Sequence, residues 1–207
     1  MFITFEGGEG SGKTSQAAML SKWLESQSIS YILTKEPGTA MVDTCKKIRE
    51  LILNPSSNMS DRTEFFLYLA DRAEHVEKCI EPALRSGKWV ISDRYFDSTR
   101  VYQGIGRGLG METISPMISY ATRDIMPNIT FIMDVPVEIG LQRAMKSNKE
   151  FAGGDRIERE GIDFHNKLRD GFLKVAQTHE RYVVLDARQD IEAIHNLVKE
   201  YLRKYIK

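Results

Sequence analysis

The stretch Gly7-Gly8-Glu9-Gly10-Ser11-Gly12-Lys13-Thr14 constrains this chain more than any other. It fits G-x-x-x-x-G-K-[ST], with a strand-like run, Phe2–Glu6, before it and a helical pattern after it, which is the context the motif requires. The glycines let successive backbone N–H groups turn inward, and the start of the next helix adds its dipole. The segment therefore reads as a cradle for phosphates. Lys13 can reach the β- and γ-phosphates of a nucleotide, and the Thr14 hydroxyl suits Mg²⁺. A chance glycine-rich turn would not bring the strand, the helix and the spacing together.

Five β-rich runs are visible: Phe2–Glu6, Ser30–Thr34, Lys88–Asp93, Ile129–Asp134 and Tyr182–Asp186. They are nearly continuous in apolar character, as strands buried on both faces are. Helical stripes lie between them: Met19, Leu20, Trp23 and Leu24 on the first helix, and Ile191, Ile194, Val198, Tyr201, Leu202 and Tyr205 on the last. This alternation predicts an α/β class, a five-stranded parallel sheet with helices on both faces. No repeat, low-complexity tract or linker divides the 207 residues, so one domain over 1–207 is expected.

Composition excludes several function classes. Apolar residues make up 42% and charged residues 28%, as in a globular protein. Basic and acidic residues balance at 29 each, which argues against a nucleic-acid-coating protein. No apolar run approaches the ~20 residues of a membrane span. The opening residues read as a strand and not as a signal peptide, so a cytoplasmic location without membrane association is expected. Cys45 and Cys79 are expected as reduced helix cysteines. His75, His165, His179 and His195 pair at no metal-ligand spacing and read as surface or core; Trp23 and Trp89 read as core.

A guanine-reading Asn-Lys-x-Asp is missing: Asn148-Lys149-Glu150-Phe151 and Asn166-Lys167-Leu168-Arg169 both lack the final aspartate. A small three-layer P-loop kinase fits better than a GTPase or a motor ATPase. If the acceptor is itself a phosphate, it is already nucleophilic. The site then needs arginines and metal, not a general base. Asp93-Arg94-Tyr95 ends the third strand, where ligands bind in such sheets. Asp93 would hold a Mg²⁺-bound water, and Arg94 would sit between donor and acceptor phosphates. Tyr68 and Arg72 share a helix face and could stack on and read a planar base. Taken alone, they fit a half-buried tyrosine beside a solvated arginine better. Glu9 inside an anion-binding loop is either exposed or turned toward a sugar hydroxyl or metal-bound water. Arg143, Lys146, Lys149, Arg156 and Arg159 flank a glycine-containing loop at 151–155. They read either as a lid, at about 145–158, or as an ordinary charged surface loop.

At this point the chain resembles the thymidylate kinase family almost end to end. The matching pieces are Phe5–Thr14, Lys35-Glu36-Pro37-Gly38-Thr39, Ala70-Asp71-Arg72, Asp93-Arg94-Tyr95, Ser98-Thr99, Tyr102-Gln103-Gly104, Gly106-Arg107-Gly108, Asp155-Arg156-Ile157-Glu158 and Asp186-Ala187. The P-loop alone is not specific to the family; the ordered set of the others is. The resemblance implies transfer of the γ-phosphate of Mg-ATP to dTMP, and a homodimer. By resemblance, Tyr68 is the base-stacking ring and Arg72 the thymine-reading arginine. Arg49 and Arg94 hold the acceptor phosphate. Glu36, Pro37, Ser98, Thr99 and Gln103 belong to the acceptor site, and Tyr102 crowds the sugar 2′ position. Glu9 approaches the 3′-hydroxyl and the metal site. Arg143 and Arg156 are lid arginines, and Arg188 and Gln189 lie where the family packs a loop on adenine. The family usually has a second glycine where Thr39 stands, and the lid segment between Met145 and Gly154 is longer than in similar sequences.

Two rival readings remain. A deoxynucleoside kinase would use Glu36 as base on a 5′-hydroxyl. A nucleotide-binding module without an acceptor site would leave the arginines at 49, 72 and 94 without a joint task.

Overall fold

The computed structural model describes residues 1–147 and 154–206. Lys149 and the middle of the expected lid, 148–153, lie outside the described residues. Strand β1 (Phe2–Glu6) enters the P-loop and α1 (Lys13–Ser26) leaves it; β2 (Tyr31–Lys35), α2 (Asp43–Leu53) and α3 (Asp61–His75) follow. A π-helical turn, Val76–Ile80, joins α3 to α4 (Glu81–Arg85). Next come β3 (Trp89–Asp93) and α5 (Phe96–Thr99), which widens into a π-helical stretch, Arg100–Gly106. The chain continues through α6 (Met111–Thr122), β4 (Ile129–Asp134), α7 (Val137–Ser147), α8 (Ile162–Ala176), β5 (Tyr182–Asp186) and α9 (Ile191–Arg203).

The strands form one parallel sheet in the order β2-β3-β1-β4-β5. The expected strands are all present, with β2 and β3 beginning one residue later than the sequence pattern suggested. Register places Phe5 and Lys35 opposite Asp93, and Glu6 opposite Ile132. The carboxyl ends of β1, β2, β3 and β4 therefore share one rim. The connection from β1 passes β3 to reach β2, and the one from β3 passes back over β1 to reach β4, so the crevice there is the ligand position of such sheets.

The two faces of β1 divide the core by strand alternation. Ile3 and Phe5 pack with Leu20 and Leu24 of α1 and with Ile194, Val198 and Leu202 of α9. Phe2 packs on the opposite face with Phe65 and Leu69 of α3 and Ile114 of α6. α8 covers β4 through Leu168, Phe172 and Val175 against Ile132. The stripe on α9 is narrower than its sequence pattern: Ile191, Tyr201 and Tyr205 stay largely exposed. Trp23 and Trp89 border the core, partly buried. Cys45 and Cys79 are buried, free thiols.

Caps set the helix starts. Ser60 Oγ accepts from the Thr63 amide at 3.3 Å, and Asp190 from the Glu192 amide at 2.9 Å. The P-loop itself depends on glycine at position 10. Gly10 has φ of 62°, and a Cβ there would lie 1.9 Å from the Gly140 carbonyl oxygen of α7. Gly10→Ala is expected to abolish nucleotide binding and to destabilise the protein by about 3 kcal/mol or more, because neither backbone can yield. Thermal unfolding and nucleotide titration check this; a variant with wild-type binding would contradict it.

Candidate active site

A single cleft of about 1030 Å³ runs along the sheet rim. It brings together the P-loop from Glu9 to Thr14, Glu36 and Pro37 after β2, Arg49 of α2, and Tyr68 and Arg72 of α3. Asp93 and Arg94 reach it from the end of β3, and Ser98, Thr99, Tyr102 and Gln103 from the segment beyond. Arg143 and Gln189 line it at the α7 and α9 side. Lys13, Arg49 and Arg94 thus face one space.

At the P-loop, Lys13 is 6% exposed. Its Nζ donates to the Gly8 carbonyl at 2.6 Å and to Ser11 Oγ at 3.2 Å. Burial brings its ammonium down to about 8; Arg94 repels it further, while Glu9 and Asp93 pull the other way. The Thr14 hydroxyl donates to the Asp93 carboxylate in a short hydrogen bond. That pairing sets two hard oxygen donors side by side, which suits Mg²⁺.

Arg94 holds a left-handed backbone, φ 70°, at the end of β3. This costs of order 1 kcal/mol in a non-glycine residue and turns its side chain back over β1. Its guanidinium donates to the Gly7 carbonyl at 2.9 Å, to Ser98 Oγ at 3.1 Å and to Glu9 at 2.7 Å. The Tyr102 hydroxyl donates to the same Glu9 oxygen at 2.6 Å. Glu9 is therefore not an exposed loop residue. Burial would raise its carboxyl, but Arg94 and Lys13 outweigh that and hold it at about 2. Beneath the turn, Glu6 accepts from the Tyr95 and Ser98 amides at 2.8 and 3.2 Å and from Ser98 Oγ at 2.6 Å. Burial, then Asp97, pushes its carboxyl up to about 7.

At the end of the cleft lined by α2 and α3, Arg72 is 1% exposed, so the solvated arginine favoured by the sequence pattern is corrected. The reason is a partner distant in sequence. Arg72 Nε and Nη2 donate to one Glu36 oxygen at 2.9 and 2.7 Å, and Nη1 donates to Thr99 at 2.8 Å. Arg49 Nη1 donates to the Pro37 carbonyl at 3.0 Å and packs over Gly38, whose φ is 83°. Thr39 is buried and accepts from the Thr34 hydroxyl at 2.8 Å.

Four predicted residues fall outside the cleft lining. Gly7 and Gly8, at the start of the loop, line a second, small hollow with Ile132 and Met133 of β4. Arg188 is exposed and forked onto its neighbour Asp186. Arg156 donates to the Ile52 carbonyl at 2.9 Å and, in a short contact, to Glu64. Arg143 lines the cleft and donates to the Ala187 carbonyl at 3.0 Å.

Sequence reasoning missed Glu64 and His75. Glu64, 1% exposed, gathers Gln103, Arg107 and Arg156. Its only sequence signal was an acid in the first turn of a capped helix. His75 signalled itself only by lying one turn past Arg72.

A parallel sheet whose first strand feeds a P-loop, faced across one cleft by arginines from α2, α3 and β3, defines a P-loop protein of the kinase type. The family model for thymidylate kinase matches residues 5–198. A thymidylate kinase of Carboxydothermus hydrogenoformans is 46% identical over 201 residues, covering 97% of this chain and 96% of the relative. Those of Marinomonas sp. and Fervidobacterium nodosum are each 40% identical, covering 98% and 100% of this chain and 94% and 100% of theirs. The chain belongs to the thymidylate kinase family.

Proposed function

We propose that this protein transfers the γ-phosphate of Mg-ATP to dTMP, giving dTDP and ADP. The observation that carries this reading is the shared cleft, with Lys13 at the P-loop end, Arg49, Tyr68 and Arg72 at the other, and Arg94 against the loop. ATP phosphates lie in the P-loop amides and on Lys13. Adenine extends toward Gln189 and Arg143, with Arg188 outside the lining. Tyr68 stacks on thymine, Arg72 and Gln103 read its edge beside Thr99, and Arg49 and Arg94 hold the acceptor phosphate, with Ser98 steadying Arg94. Tyr102 crowds the 2′ position, and Glu9, steadied by Arg94 and Tyr102, faces the sugar 3′-hydroxyl.

Thr14 and Asp93 are the residues that would hold Mg²⁺, which neutralises charge on the donor phosphates. The remaining work is positioning two anions and meeting the charge of transfer with guanidinium groups. Arg143, and Arg156 once released from Glu64, would be the lid cations in that role. The Glu36 base of a deoxynucleoside kinase is disfavoured. One of its oxygens is taken by Arg72 and the other by His75, and although burial would raise its carboxyl, Arg72 holds it below the usual range.

We propose further that the chain acts as one domain, since one sheet takes strands from residue 2 to residue 186. A cytoplasmic homodimer completes the proposal. Among the described residues no helix is long and apolar enough to cross a membrane, and the exposed Phe66 on α3 is the kind of side chain an interface covers. A coupled assay with ATP, Mg²⁺ and a panel of acceptors tests the activity. dTMP should be turned over well and thymidine should not; the reverse order would favour the rival.

The Lys13 ammonium sets a pH dependence. Its charged form binds phosphate. Above about pH 8 the free protein has lost that proton, so binding must take one up. The Kd for ATP is expected to stay level from pH 6.5 to 7.5 and then to rise, approaching about tenfold per pH unit. Titration calorimetry in two buffers of different ionisation enthalpy would show the proton uptake. A flat Kd to pH 9.5 would contradict it.

A further inference from the structure

His75 does not line the cleft, yet it is fully buried one helical turn past Arg72. Its Nδ1 lies 2.8 Å from Glu36 Oε1 and its Nε2 2.7 Å from Thr34 Oγ1. The Glu36 carboxylate only accepts, so Nδ1 carries a proton and donates. The other oxygen, Oε2, receives both Arg72 Nε and Nη2. Thr34 Oγ1 in turn lies 2.8 Å from Thr39 Oγ1. A continuous buried chain therefore runs Thr39, Thr34, His75, Glu36, Arg72, and its last member lines the cleft. Thr39 supplies the far end.

A carboxylate held by one oxygen can rotate about its last bond and carry a partner's fork with it. Anchoring the second oxygen removes that freedom. The Arg72 fork is then presented in one orientation, with Nη1 and Nη2 steadied by Thr99 and the Tyr95 carbonyl. Such outer partners orient the groups that touch ligand, much as they do around metal ions.

We propose that His75, backed by Thr34 and Thr39, is a positioning residue for pyrimidine recognition, locking Glu36 so that Arg72 meets the base in a fixed orientation. This rests on Arg72 reading the base of dTMP.

The test compares KM for dTMP and for ATP in wild type, His75→Asn, His75→Gln, Thr34→Val and Arg72→Lys. Asparagine places an N–H donor where Nδ1 was and keeps the Glu36 contact. Glutamine reaches the Nε2 position and loses it. His75→Gln is expected to raise the dTMP KM about tenfold, His75→Asn and Thr34→Val about threefold each, with all ATP KM values within about twofold of wild type. A packing role alone would move both KM values together or leave His75→Asn no better than His75→Gln; either result overturns the proposal, as does an unchanged dTMP KM in His75→Gln. If neither His75 variant folds, Thr34→Val decides, and an unchanged dTMP KM there refutes the chain. Should wild type fail to turn over dTMP, or Arg72→Lys keep the wild-type dTMP KM, it is the base-reading role that fails and not the His75 contact.

Discussion

Lys13→Ala is expected to lower kcat by roughly 10³-fold while the protein stays folded. Losing one preorganised donor at a developing charge typically costs 10²–10³-fold, and the full positive charge of Lys13 puts it at the upper end. The fold should survive because the apolar packing that holds α1 comes from Leu20 and Leu24. Alanine also suits a first helical turn. Burial and Arg94 already disfavour the Lys13 ammonium, bringing it down to about 8, so its removal relieves a desolvated cation. The melting temperature should therefore stay within a few degrees of wild type. A steady-state assay beside a thermal melt checks both halves. Activity near wild type would overturn the P-loop assignment, and a collapsed fold would overturn the claim that Lys13 is there for phosphate.

Arg72→Ala should raise the KM for dTMP by about 30- to 100-fold and leave the KM for ATP nearly unchanged. Hydrogen bonds to a charged group contribute about 1.5–3 kcal/mol each, and one such loss already gives about a tenfold to hundredfold effect. The variant carries a second cost. Glu36 is 5% exposed, and its oxygens are shared between Arg72 and His75. Removing Arg72 leaves a buried carboxylate short of its main partner, a loss of about 3–5 kcal/mol in comparable pairs. A lower melting temperature is expected alongside the selective KM change. The two are separable, because instability reduces active protein and hence apparent kcat for both substrates, whereas lost recognition raises only the dTMP KM. An equal rise of both KM values would remove Arg72 from base reading.

Much of the site was legible because its chemistry is local. The P-loop is a contiguous motif whose glycines, lysine and threonine all lie between residues 7 and 14. Asp93 and Arg94 announced themselves by ending a strand, and the sheet order then set β3 beside β1. Arg72 was misjudged without the resemblance, because helix spacing shows which residues share a face but not what the face meets. Its partners Glu36 and Thr99 lie 36 and 27 residues away. Glu9 stayed open for the same reason: its fate depends on Arg94, 85 residues on, and Tyr102, 93 residues on. Glu64 and His75 were invisible because α3 carries four acids, and a lone histidine on a helix gives no sign of its partners.

The amino-acid order by itself determined the strand–helix alternation, the phosphate loop and the family, since these depend on periodicities and motifs that neighbouring residues carry among themselves. Only the tertiary structure decided which charged groups are buried together: Arg72 with Glu36 and His75, Arg94 with Glu9, Arg156 with Glu64. A charge leaves water at least cost where a partner of opposite sign awaits it, and those partners are brought within hydrogen-bonding distance by the folding of segments far apart along the chain.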